Sequence, residues 1–283
     1  MPEKTSPRVT LRTLRQWITA GRKFPMLTCY DATTARWLWQ GGIQTFLVGD
    51  TAAQFVLGHD STLPATMPFL LELTAAVRRG APHAFVMADM PFGSYQCGDD
   101  EAVRHAMAFV AQARADVVKL EVDASFAPLV RRLTHAGVPV VAHLGSRPQH
   151  KILHGGRSRT VYHTSDQVDR AVDEARLMVD SGAVMLLFEA VPAELTRRVV
   201  DEVAMNPAHG DGPIPIIGCG GGPACHGHVV VLHDLLGLTD WHAPFAQPVA
   251  NLGEQLAKAA GAWRELVESG QYLRDDHPYH LEK

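Results

Sequence analysis

Short apolar runs recur along the chain, each bounded by Gly, Pro or Asp, and longer stretches of helical period separate them. Eight runs stand out, at residues 26–30, 45–49, 84–88, 117–120, 138–142, 184–188, 214–218 and 229–232. Most are continuous rather than alternating, as expected of strands buried on both faces of a parallel sheet. Eight strands alternating with helices predict an α/β fold, a closed (β/α)8 barrel.

The intervening stretches carry helix signals. Thr66 with Pro68 starts a helix that runs through Leu70, Leu73 and Val77 and ends near Gly80. Val103, Ala106, Met107 and Val110 repeat at i, i+3, i+4 and i+7, as do Val168, Ala171, Val172 and Ala175 after Thr164 and Ser165. Residues 9–20 and 252–267 fall outside the eightfold alternation and are expected as flanking helices; the second is suited to capping the barrel or to assembly. The stretch 145–164 has no clear period and reads as a functional loop or lid.

Composition narrows the function. The 283 residues, 46% hydrophobic, suffice for one large core, so a single domain over residues 1–283 is expected. The net charge of −4 and the absence of a basic stripe argue against a nucleic-acid partner. The run 229–232 is far shorter than the about 20 apolar residues a bilayer demands, so no membrane association is expected. The first seven residues lack the apolar stretch of a secretory leader. Cys29, Cys97, Cys219 and Cys225 form no Cys-x-x-Cys pair, which fits reduced thiols and a cytoplasmic setting.

Barrel enzymes place their chemistry at the carboxyl ends of the strands. Here the residues after the apolar runs are mostly acidic: Asp50, Asp89, Glu121 and Glu189, with His143 after residues 138–142. An acidic residue after a single strand is more often a cap or loop residue than a ligand. Four on one barrel mouth would repel one another unless a cation sits among them or some are protonated. Oxygen donors select Mg2+ or Mn2+ over zinc. Asp50, Asp89 and Glu121, on consecutive strands, are the better ligand set, which leaves Glu189 across the barrel to act as a base. Lys119, two residues before Glu121, shares its face and points inward or makes a structural ion pair. His143 alone could be a satisfied core histidine. Cys225, His226 and His228 lack distant partners and read as solvated or capping residues. The glycines at 218 and 220–222 could cradle a phosphate or allow close backbone approach.

Across nearly the whole chain these residues resemble the ketopantoate hydroxymethyltransferase family, of the phosphoenolpyruvate mutase and isocitrate lyase superfamily. The resemblance is carried by Val48-Gly49-Asp50, Gly58-His59-Asp60-Ser61-Thr62-Leu63-Pro64 and Ala75-Ala76-Val77-Arg78-Arg79-Gly80-Ala81-Pro82. Further matches are Ala88-Asp89-Met90-Pro91-Phe92, Val118-Lys119-Leu120-Glu121, His143-Leu144-Gly145 and Phe188-Glu189-Ala190-Val191-Pro192. It implies transfer of a one-carbon unit from the co-substrate 5,10-methylenetetrahydrofolate to 3-methyl-2-oxobutanoate, a small 2-oxo acid, giving ketopantoate for pantothenate biosynthesis. It further implies that Asp50 and Asp89 bind Mg2+, that Glu121 supports the metal shell, and that Glu189 is the catalytic base. Asp50, Thr51, Asp89, Lys119 and His143 are the implied substrate-binding residues, Thr51 standing where the family usually has Ser. Because the family is multi-subunit, the resemblance also implies a homo-oligomer, a decamer being the form to look for.

The chain departs from the family in its loops. Gly145-Ser146-Arg147-Pro148-Gln149 replaces Gly-Leu-Thr-Pro-Gln and adds a cation near the mouth. Gly155-Gly156 is kept, but Ser158-Arg159-Thr160-Val161 replaces Val-Gln-Gly-Arg; His226-Gly227-His228 replaces Asp-Gly-Gln, and Gln247 replaces a usual Lys. These changes bear on the second substrate and admit a diverged paralogue using another 2-oxo acid or donor. Two further readings are a superfamily carbon-carbon lyase, for which the expected Lys-Cys-Gly-His-like loop is missing, and a non-catalytic binding barrel, against which the acidic residues stand.

Overall fold

The computed structural model describes residues 7–155, 161–206 and 212–272. The first six residues, Gly156 and the divergent Ser158-Arg159-Thr160 lie outside the described residues. The chain divides into two compact units, Met1–Val230 and Val231–Lys283.

The first unit is a closed barrel of eight parallel strands in sequence order: β1 (Phe24–Thr28), β2 (Thr45–Val48), β3 (Phe85–Asp89), β4 (Val117–Glu121), β5 (Val140–Gly145), β6 (Met185–Glu189), β7 (Ile216–Cys219) and β8 (Gly227–Val230). Closure comes from β1 against β8, with Phe24 opposite Gly227. The helices are α1 (Leu11–Thr19), α2 (Ala32–Gln40), α3 (Ala52–Phe55), α4 (Met67–Gly80), α5 (Asp99–Ala111), α6 (Ala127–His135), α7 (Ser165–Asp180) and α8 (Ala193–Val199). Their ends carry the expected chemistry. Thr66 accepts from the backbone N–H of Phe69 at the start of α4, and Thr164 forms a capping box with Gln167 at the start of α7.

Side-chain parity explains why chemistry collects at one end. Met87, Val117, Val141, Leu187 and Ile217 belong to one buried apolar cluster. Two residues further along the same strands stand Asp89, Lys119, His143, Glu189 and Cys219. Since alternate strand residues share a face, each of these lies on the inward face one step above an apolar layer. Val9, Leu14 and Ile18 join this cluster together with Phe24 and Phe85, so α1 packs at the amino-terminal end of the strands. The opposite strand faces, with Val118, Leu120, Ala142, Leu186 and Phe188, pack on α5, α6, α7 and α8. Burial on both faces accounts for the continuous apolar runs.

Four strands begin two residues away from their predicted positions: β1 and β8 start earlier, β5 and β7 later. The eightfold alternation also breaks once, because residues 220–226 between β7 and β8 contain no helix. The second unit holds α9 (Leu232–Leu235) and α10 (Leu252–Glu268). The side chain of Asn251 caps α10 by accepting from the N–H of Glu254.

Candidate active site

Asp89, Glu121 and Glu189 are the last residues of β3, β4 and β6, and His143 lies within β5. Asp50 follows β2 after Gly49. A Cβ at Gly49 would lie 2.8 Å from Thr51 Oγ1 and 3.4 Å from Asp89 Oδ2, so glycine is needed for the chain to turn Asp50 onto its neighbour. The Asp50 N–H then donates to Asp89 Oδ2 at 3.0 Å. Thr51 Oγ1 lies 2.9 Å from Tyr30 Oη.

Lys119 joins the acids to the histidine. Its Nζ is 2.8 Å from Asp89 Oδ1 and 3.2 Å from His143 Nδ1. Burial alone would lower the lysine pKa, but Asp89, Glu121 and Asp50 outweigh it and hold the group protonated. The ammonium has only donors, so His143 Nδ1 accepts and the ring proton sits on Nε2. Burial, with Lys119 and Arg147 nearby, pushes the His143 pKa well below its usual value and keeps the ring neutral. Its Nε2 is buried, has no hydrogen-bond partner among the described residues, and lies 3.5 Å from Glu189 Oε2.

The carboxylates are strained electrostatically. Burial and the Asp89 charge raise Asp50 to about 7, against Lys119 and Gln149. Burial raises Asp89 as well, with Lys119 opposing. Glu189, with 23% of its side chain exposed, is pushed to about 7 by desolvation and by Asp50 and Asp89, again opposed by Lys119. Its backbone is constrained: the next residue, Ala190, has φ +52°, and a Cβ at Gly145 would come 2.4 Å from the Glu189 carbonyl oxygen.

Asp50, Asp89 and Glu121, the expected metal set, stand at the carboxyl ends of β2, β3 and β4. Among the described residues no three His, Cys, Asp or Glu side chains stand close enough to hold a metal ion. Glu121 is taken up elsewhere: its Oε2 accepts from the Gln149 N–H at 2.9 Å, and its Oε1 lies 3.8 Å from His143 Nδ1. Asp50 and Asp89 still fit a hard divalent ion. They are adjacent buried oxygen donors whose ionised forms are disfavoured, and among the described residues Asp89 Oδ1 has Lys119 as an ionic neighbour but no directed hydrogen bond.

Gln149, Tyr95, Tyr30 and Ser146 also belong to this network, and of these the strand pattern marks only Tyr30, at the end of the run 26–30. For Gln149 the sequence signal is Pro148-Gln149, which keeps the family's pattern within the divergent loop. Arg147, the added cation, donates to Asp123 Oδ2 at 2.6 Å. His226 Nδ1 accepts from the Ile216 N–H, and His228 is exposed on β8. The glycine run is explained by close approach: Cβ atoms at Gly218 and Gly222 would meet Cys225 Sγ at 2.8 Å and Ala193 Cβ at 2.5 Å. In the second unit, Gln247 donates to the Pro244 carbonyl. A cavity of about 680 Å3 is lined by Tyr162, His163, Gln167, Arg170 and Glu174, and by none of the carboxylates of the mouth. No helix among the described residues is long and apolar enough to cross a membrane.

Known proteins resemble this chain in sequence and in fold. The 3-methyl-2-oxobutanoate hydroxymethyltransferase of Syntrophus aciditrophicus is 39% identical over 274 residues, covering 96% of this chain and 97% of that protein. The Mycobacterium ulcerans protein of the same name is 38% identical over 276 residues, covering 96% and 89%. Solved structures share the fold at low identity. A 2,3-dimethylmalate lyase of the PEP mutase/isocitrate lyase superfamily aligns with TM-score 0.58 and 18% identity, covering 96% of this chain and 92% of the other. A phosphoenolpyruvate phosphomutase from Streptomyces platensis subsp. rosaceus gives 0.58 and 14%, with the same coverage. Residues 8–275 match the ketopantoate hydroxymethyltransferase family, so the chain belongs to that family and is a hydroxymethyltransferase.

Proposed function

We propose that the enzyme transfers a hydroxymethyl group from 5,10-methylenetetrahydrofolate to 3-methyl-2-oxobutanoate, forming ketopantoate through an enolate. The observation that carries this reading is the Lys119–His143–Glu189 chain beside the Asp50–Asp89 pair, within a chain of this family. Asp50 and Asp89 would hold Mg2+ or Mn2+. When bound there, the ion supplies Lewis-acid polarisation of the 2-oxo acid.

The protein's own groups supply the rest. Glu189, poised near pH 7 and partly open to the mouth, suits the general base that takes the C3 proton. The C3–H bond breaks, the proton passes to the Glu189 carboxylate, and the electron pair moves to the 2-oxo oxygen as an enolate. Water hydrolyses the two C–N bonds of the folate's methylene bridge, releasing tetrahydrofolate and leaving the carbon as a carbonyl at the oxidation level of formaldehyde. The enolate pair forms the bond from C3 to that carbon, its C=O π pair moves to oxygen, and that oxygen takes the proton held by Glu189 to become the hydroxyl. His143, neutral and protonated at Nε2, can donate to a substrate oxygen, and Lys119 both fixes that tautomer and offers positive charge to the substrate carboxylate. Thr51 lies beside Asp50 at the start of α3, where its hydroxyl and N–H suit the same carboxylate. Arg147 is engaged by Asp123, so the loop substitution supports no second anionic group on the substrate. The exposed Leu256, Trp263, Leu266 and Val267 of α10 suit a subunit contact in a homo-oligomer.

The test is product formation. With 3-methyl-2-oxobutanoate and 5,10-methylenetetrahydrofolate, mass spectrometry should detect ketopantoate in Mg2+ and none in EDTA. Absence of product from this donor, while the enzyme still enolises the acid, would reject the folate assignment alone.

A further inference from the structure

We propose that Gln149 is a positioning residue that fixes the Asp50 carboxylate for metal and substrate binding. This rests on the reading of Asp50 given above. Gln149 is only 3% exposed, and every polar group of its side chain is used. Nε2 donates to Asp50 Oδ2 at 2.9 Å and to the Met90 carbonyl at 3.0 Å, while Oε1 accepts from Tyr95 Oη at 2.7 Å. Its backbone N–H donates to Glu121 Oε2 at 2.9 Å.

The amide orientation is determined by chemistry. The Met90 carbonyl can only accept, so the NH2 group must face Met90 and Asp50, and the oxygen must face the tyrosine hydroxyl. One residue from the loop after β5 thereby ties together Asp50 after β2, Met90 after β3 and Glu121 at the end of β4. A carboxylate held through one oxygen by a donor that is itself locked at two other points has little rotational freedom. Outer partners of this kind hold metal-ligating carboxylates in orientation. No other common side chain meets the demand: Glu would set an acceptor against Asp50 and the Met90 carbonyl, and Asn is one methylene shorter.

The experiment is direct Mn2+ binding, followed by the loss of the free-ion electron paramagnetic resonance signal well below the melting temperature. It compares wild type, Gln149→Met and Tyr95→Phe, with steady-state kinetics on the same samples. Gln149→Met should weaken Mn2+ binding about 10–100-fold, the range for lost outer-shell partners. Tyr95→Phe, which removes one oxygen and leaves the ring, should weaken it in the same direction by less and keeps the test decisive if Gln149→Met fails to fold. Wild-type Mn2+ affinity in both variants would overturn the positioning role alone. No Mn2+ binding by the wild type would overturn the reading of Asp50 and the positioning role with it.

Discussion

Lys119 sets the charge balance of the mouth, where it faces Asp89 directly and Glu121 and Asp50 nearby. Replacing it by Met should destabilise the fold by about 3–5 kcal/mol, because removing one partner of a buried pair leaves the other uncompensated. The cost should be smaller at pH 5 than at pH 8, since Asp89, already raised by burial, escapes by taking a proton. Urea titration at the two pH values measures both; equal costs would contradict the coupling. At this scale the acids and His143 are legible in the sequence because each follows an apolar run, and Lys119 because it lies two residues before Glu121 on the same strand face. Gln149 and Tyr95 are not, because their roles arise from contacts between loops without any period. Glu121 ends β4 beside the same mouth, as its place after an apolar run suggests, and its Oε2 accepts from the Gln149 N–H of the next loop.

Element boundaries show a related limit. Apolar runs mark all eight strands, yet pairing register decides where a ladder begins, so β1 starts at Phe24 opposite Gly227 rather than at Met26. The glycines at 218 and 220–222 admit a phosphate loop on sequence alone, and in the fold Gly218 and Gly222 instead make room for Cys225 and Ala193. The family-like stretch at residues 75–82 has a structural explanation too. Arg78, buried on α4, donates to the carbonyls of Arg114, Pro82 and Ala84 and pairs with Asp116, whose carboxylate also accepts from the Val86 N–H. It thereby ties α4 to the entrances of β3 and β4. Arg78→Ala should therefore cost about 3–5 kcal/mol in chemical denaturation while leaving kcat per folded molecule unchanged. A fall in kcat with unchanged stability would contradict this division between scaffold and site.

For the whole molecule, the raised acids make stability depend on pH. Asp50 and Glu189 titrate near 7 when folded but near 3.8 and 4.5 in their ordinary state. Between those values the folded chain binds more protons than the unfolded one, so their contribution falls as pH rises and is fully lost above about 7. Buried histidines such as His143 and His226 act oppositely, but only up to their ordinary value near 6.5. In EDTA the melting temperature should therefore fall from pH 6.5 to 8, and Asp50→Asn should flatten that slope more than Glu189→Gln, whose site is partly exposed. An unchanged slope in Asp50→Asn would contradict the burial of that charge. The barrel is legible in the sequence because its alternating runs are a property of the entire chain. The break in alternation before β8 is not, because close packing of a glycine-rich segment takes the place of a helix there.

The most direct test of the enolising site needs no one-carbon donor. Exchange of the C3 proton of 3-methyl-2-oxobutanoate in D2O, followed by NMR with Mg2+ and with EDTA, isolates the step assigned to Glu189. Metal-dependent exchange is expected of the wild type, with a fall of about 10²–10⁴-fold in Glu189→Gln, the range for a lost general base. No exchange by the wild type, or undiminished exchange by Glu189→Gln, would contradict that assignment.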